Sequence, residues 1–159
     1  PLGLDLVGIN LPGHFVLALK GSEPALYVDA FHDGEILDRT GCERLVAGVL
    51  GRPVVLDKHD LVPADATAIV ARMLRNLSAI YLGLDDYASA LPVARRLSAV
   101  DPDDMEALRE WGLIALRSGH PGESLLPFSR YLEVRPDAED AAAVTEILRT
   151  ARRDVAQTN

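Results

Sequence analysis

The sequence is short of cysteine, of positive charge and of long apolar runs, and each shortage excludes something. Cys42 is the single cysteine among 159 residues. That rules out an intrachain disulfide and any cysteine-rich zinc site, and it points to a reducing compartment, so a cytoplasmic location is expected. Sixteen Lys and Arg stand against 24 Asp and Glu, a formal net charge of −8. No stretch supplies the dense basic run that phosphate binding needs, so neither nucleic acid nor an anionic membrane surface is an expected partner. No apolar run reaches the length that spans a bilayer. What is present is a 48% share of apolar residues, enough for a real core and too much for wholesale disorder.

The first part of the chain reads as strands. Leu4 to Asn10, His14 to Lys20 and Ala25 to Ala30 are strand-like, and Glu35 to Leu37 makes a short fourth. Pro12-Gly13, Gly21-Ser22-Glu23-Pro24 and Asp33-Gly34 supply the turns. Asp38 or Thr40 can cap a helix through about Leu50, because a side-chain oxygen there satisfies free amides of the first turn. Cys42, Leu45, Val46 and Val49 share one face of that helix, and Gly51-Arg52-Pro53 ends it. Val54 to Pro63 reads equally as a short strand or as an extended linker, with Asp57 to Asp60 as a solvated loop.

From Ala64 onward the pattern is helical, and it repeats. Offset by 34 residues, Pro102 falls on Pro136, Leu91 on Leu125 and Arg75 on Arg109. That period, with a helix–turn–helix pattern and a closing proline, is the tetratricopeptide (TPR) signature. Ile69, Met73, Leu77, Ile80 and Leu84 recur at helical spacing and predict a long first helix. Tyr87, Ala90, Leu91, Ala94 and Leu97 form the inner stripe of its partner. Trp111 and Phe128 read as core residues of the second repeat, and His120-Pro121-Gly122 as the turn inside it. Repeats of this kind stack on neighbours and present a surface to something else.

Several stretches resemble the SirB-type family, in which a transglutaminase-like core is joined to TPR helices. They are GINLPGHFVL at Gly8 to Leu17, YVDAF at Tyr27 to Phe31, RMLRNLSAIYL at Arg72 to Leu82, REWGL at Arg109 to Leu113, and YLEVRPDAEDA at Tyr131 to Ala141. The resemblance implies a bacterial regulatory protein whose N-terminal helical half lies outside this chain, and the opening at Pro1 instead of Met is read the same way. Transglutaminase-like cores look like papain relatives, with a cysteine at a helix start, a histidine on one strand and an aspartate on the next. On this pattern the histidine is His14 and the aspartate Asp29. The nucleophile precedes the histidine in such proteins, and neither Cys nor Ser stands upstream of His14. Full-length members often lack the cysteine too, as the resemblance implies.

A register argument brings the same two residues together without the family. A hairpin turning between Gly21 and Ser22 sets His14 directly opposite Asp29, with both side chains on one face of the sheet. The pair reads either as an incomplete or vestigial triad or as a structural contact at a strand end. Cys42, after Asp29 and on an apolar helix stripe, reads as a small buried hydrophobe. No His-x-x-x-His or similar spacing supports a metal site, and no cofactor is expected.

Arg75 and Arg109, one repeat apart, should project from equivalent places on the first helices of successive units. With Arg72 and Asn76 they compose a candidate cationic ledge for a carboxylate or acidic peptide. The alternative is that they pair within the chain. The expected fold is α+β: a small antiparallel sheet, the remnant of a transglutaminase/papain-like core (1–60), packed with a C-terminal all-α TPR-type array (61–159). That array comprises repeats at about 69–102 and 103–136 and a capping helix at 138–155. The expected function is non-catalytic protein interaction with a regulatory purpose. The competing function is a cysteine-type peptidase, amidase or acyltransferase whose nucleophile lies in upstream sequence. Oligomeric state is left open by the sequence.

Overall fold

The computed structural model describes residues 3–22 and 25–158. Four strands come first: β1 (Leu6–Leu11), β2 (His14–Leu19), β3 (Tyr27–Asp29) and β4 (Glu35–Leu37). They form one antiparallel sheet in the order β1-β2-β3-β4. Six helices follow: α1 (Arg39–Leu50), α2 (Ala66–Gly83), α3 (Tyr87–Val100), α4 (Met105–Arg117), α5 (Pro121–Val134) and α6 (Ala141–Thr158). The fold is α+β, as the sequence predicts. The chain divides into two units, one running to Ile69 and the other starting at Val70.

In the first unit, alternation along the strands decides what is buried. Ile9 and Leu11 of β1, Val16 of β2, Tyr27 of β3 and Leu37 of β4 point to one core. Cys42 and Val46 of α1 complete it, one helical turn apart on the face turned to the sheet. Asp38 caps α1 by accepting the Gly41 amide at 2.7 Å, and Gly51 ends it in the left-handed region with φ 66°. The residues after α1, ambiguous in sequence, form an extended packed segment. Leu56 is fully buried there, the Arg39 guanidinium donates to its carbonyl, and Glu43 accepts its amide. Pro63 bridges Ile9, and the Ala64 amide donates to the Gly8 carbonyl at 2.8 Å, so this segment lines β1.

Two turns position the site. Leu11 pairs with His14, leaving Pro12 and Gly13 as the turn. Gly13 has φ 72°, and a Cβ there would meet Val49 Cγ1 at 2.6 Å, so no other residue fits without strain. That also explains why Val49, although on the α1 stripe, is not part of the core: it lies over the turn, half in solvent. Between β3 and β4, Asp33 and Gly34 both take positive φ (52° and 78°), as a type I′ turn requires. The Glu35 amide closes that turn on the His32 carbonyl.

The β2–β3 register differs from the sequence reading. Leu17 pairs with Val28 and Ala18 with Tyr27, so Asp29 lies opposite Val16 instead of His14. The shift is two residues because the connection is longer than a turn centred on Gly21-Ser22. Of that turn, Glu23 and Pro24 lie outside the described residues. An even shift keeps every side chain on its face, so His14 and Asp29 remain diagonal neighbours on the same side of the sheet.

The second unit is helices folded back on one another by short connections. Asp86 caps α3 and Asp104 caps α4 with their carboxylates. Leu91 and Ala94 of α3 pack with Ile114 and Ala115 of α4, while Leu108, Phe128, Tyr131, Val144 and Leu148 link α4, α5 and α6. The turn between α4 and α5 is shifted from the sequence reading. Gly119, at φ 80°, carries the strained backbone, and Pro121 and Gly122 already belong to α5, where proline suits the first helical position. Asp85 takes the same left-handed conformation (φ 55°) one repeat earlier, so the 34-residue period holds down to the backbone.

The helix α2 presents the opposite face from the one its apolar pattern suggests. Ala71 and Ser78 are its buried residues, with Leu74, Tyr81 and Leu82 packed beside them. Met73 (64% exposed), Ile80 (59%) and Leu84 (71%) face solvent with Val70 and Leu77. Small residues let neighbouring helices approach closely, and periodicity alone does not say which of two faces will do so.

Candidate functional site

The first unit gathers three titratable side chains at one end of the sheet. His14 opens β2 directly after the Pro12-Gly13 turn, and Asp29 closes β3. Their contact, His14 Nε2 to Asp29 Oδ1, is 3.0 Å. It is close enough for ion pairing but out of line for a well-formed hydrogen bond. Asp29 is fully buried and His14 nearly so. The sequence reading missed the third member. His32, three residues after Asp29, folds back through the type I′ turn and brings Nδ1 to 2.6 Å from Asp29 Oδ2. Each carboxylate oxygen therefore faces one imidazole. The two rings stack at 5.7 Å with 25° between planes, and Phe31 meets His14 edge-on at 5.6 Å. The signal for His32 was an Asp-x-x-His spacing across an Asp-Gly turn, which acquires meaning only once the turn type is known.

Electrostatics follow from this arrangement. Burial by itself would raise the Asp29 carboxyl, but the two imidazoles and the Phe31 amide, which donates to Oδ1 at 2.9 Å, outweigh it and hold the group at about 2. The hydrogen bond to Asp29 and its charge raise His32 above its ordinary value. Cys42 behaves differently. It is fully buried, and burial together with the Asp38 and Asp29 carboxylates pushes its thiol up to about 11. A thiol so placed stays protonated near neutrality and is a poor nucleophile.

The arginines of the helical unit are drawn into ion pairs between repeats. Arg75 of α2 contacts Asp101 at 2.8 Å and Asp104 at 2.7 Å, and Asp104 is the N-cap of α4. Arg109 of α4 pairs with Asp140, the residue before α6, whose carboxylate also accepts the Tyr131 hydroxyl at 2.7 Å. The one-repeat spacing of the two arginines thus has a structural counterpart: each clasps a carboxylate at the start of the next repeat's first helix. Arg72 is half-buried, and burial lowers its guanidinium below the ordinary value; Asn76 is exposed.

A His–Asp pair on adjacent strands before stacked helix pairs defines a class: a transglutaminase-like segment joined to tetratricopeptide repeats. Comparison with known proteins agrees in both parts. Residues 1–75 match the transglutaminase-like superfamily and residues 77–149 match the tetratricopeptide repeat. A UPF0162 protein of Xylella fastidiosa is 33% identical over 146 residues, covering 90% of this chain and 52% of that protein. Protein SirB1 of Salmonella typhimurium is 25% identical over 136 residues, 86% of this chain and 51% of its own length. A UPF0162 protein of Vibrio cholerae is 31% identical over 114 residues, 71% and 42% respectively. The chain is similar to these SirB1 and UPF0162 proteins over most of its length, consistent with a SirB-type family, and it spans about half the length of these relatives.

Proposed function

We propose that this chain acts by binding protein through its TPR helices, in a regulatory role, and that its transglutaminase-like part performs no acyl transfer by itself. The observation that carries this reading is the solvent-facing row along α2 and Leu84 just past its end. Val70, Met73, Leu77, Ile80 and Leu84 repeat at alternating steps of three and four residues, the a/d spacing of a helix that seats a second helix. The partner it fits is a protein segment presenting an apolar helical face. An acidic peptide at Arg72, Arg75, Asn76 and Arg109 is the second reading. It rests on the partial exposure of Arg75, and a peptide carboxylate there would have to displace Asp101 and Asp104.

Two charge variants separate these readings. Met73→Asp with Ile80→Asp should leave stability within about 0.5 kcal/mol, because both side chains are exposed. It should also abolish retention of the partner that wild-type protein cross-links in lysate. Arg75→Glu with Arg109→Glu should keep that partner. Loss only in the arginine variant would install the acidic-peptide reading, and retention by both variants would remove the two surfaces together.

The absence of acyl transfer is tested at Cys42. Iodoacetamide at neutral pH should label it slowly in the native protein and quickly in urea, since the folded thiol is buried with its pKa at about 11. Rapid native labelling that disappears in His14→Ala would reveal an activated thiolate at Cys42 and overturn the reading that this part performs no acyl transfer by itself.

A further inference from the structure

We propose that His14, Asp29 and His32 form a binding site for a divalent transition-metal ion of the zinc type. One donor atom from each residue lies within 4.8 Å of the others. Two imidazoles and a carboxylate are the donor set that zinc, cobalt and related ions take in sites that keep a position open. Asp29 directs one oxygen to each imidazole, at 3.0 Å and 2.6 Å. Ligand atoms around tetrahedral zinc stand about 3.4 Å apart. The two imidazole–carboxylate gaps are shorter than that by about 0.4 Å and about 0.8 Å, so the rings must turn away from the carboxylate to admit an ion.

Three further features favour a cation there. His14 Nε2 is buried and has no aligned hydrogen-bond partner among the described residues, so its lone pair or proton goes unused. The Phe31 amide holds Asp29 Oδ1 from behind, the kind of outer contact that fixes a ligating carboxylate. His32 sits at 61% exposure on the β3–β4 turn, so one side of the cluster opens to water and an ion can enter from that side. Cys42, His59 and His120 are not members of the cluster. The site goes beyond the interaction reading and stands or falls independently of it.

The test is titration of the chelator-treated full chain with Co2+, followed by visible absorbance, and then displacement with Zn2+. One equivalent of Co2+ should give ligand-field bands that Zn2+ removes. His14→Ala and His32→Ala, each checked for intact fold by circular dichroism, should weaken binding at least about 10-fold. His59→Ala with His120→Ala should bind as wild type does. Absence of a cobalt spectrum together with absence of zinc binding would overturn the site. So would His32→Ala binding at wild-type strength, or loss of binding in the His59/His120 variant.

Discussion

Phe128→Ala is expected to cost about 3–5 kcal/mol and to unfold the helical unit at a much lower denaturant concentration than wild type. The ring is fully buried and sits where α4, α5 and α6 meet, with Leu108, Tyr131, Val144 and Leu148 around it. Gly112 of α4 is the floor beneath it. A Cβ at Gly112 would lie 2.6 Å from the Phe128 ring, closer than atoms pack. Helix α4 therefore carries a glycine in its interior, at a cost near 1 kcal/mol in helix propensity, because the ring occupies the space a side chain would need. This makes a reciprocal prediction available. Gly112→Ala should destabilise the wild type by overpacking, about 1–3 kcal/mol. In the Phe128→Ala background the same change should be neutral or stabilising, since the cavity then accepts the methyl group. Guanidinium unfolding of the four proteins closes the cycle. Additive effects would mean that the ring and the glycine are not in contact.

Much of this was legible in the sequence, for identifiable reasons. The 34-residue period reported the stacked helices because each helix pair must bury a face on the next. Of the two caps the sequence offers for α1, Asp38 serves because its carboxylate stands just before the helix and accepts a first-turn amide, while Thr40 lies within it. Ala90, Leu91, Ala94 and Leu97 of the α3 stripe are buried as their spacing indicates, while Tyr87 at the helix start is only partly covered. Other features depended on information that a pattern does not carry. Met73 and Ile80 are spaced like core residues yet face solvent, because Ala71 and Ser78 give α2 a smoother side for close packing. Arg75 and Arg109 were recognisable as equivalent, but their carboxylate partners lie 26 to 31 positions onward and emerge only from the stacking. His14 and Asp29 came together despite a register wrong by two residues, because sheet parity tolerates even errors. His32 stands just before the Asp33-Gly34 turn, and its approach to Asp29 depends on two consecutive positive φ angles that no spacing motif reports.

Removing the Asp29 carboxylate should change both stability and its dependence on pH. Asp29→Ala takes away the acceptor for the Phe31 amide and the partner of two imidazoles, at a buried position that no water reaches. The imidazoles can shed their protons and His32 can turn to solvent, so the cost should stay near that of a lost buried hydrogen-bond set, about 1–3 kcal/mol. The pH profile carries the sharper prediction. The folded carboxyl titrates at about 2 against an ordinary value of 3.8, so between those values the unfolded chain binds more protons than the folded one. Its contribution is therefore complete above about pH 4 and disappears as pH falls toward 2. The histidine side runs the other way. His32 is raised by Asp29, so whatever its pairing adds is present below the ordinary imidazole value of 6.5 and fades as pH rises through the folded value. Asp29→Asn, which keeps the shape and loses the charge, should flatten the acid limb of the stability profile. It should also return the His32 titration, followed by NMR of the ring protons, toward 6.5. A His32 titration unmoved by Asp29→Asn would show that the carboxylate does not hold this imidazole, and the three-residue cluster would lose its centre.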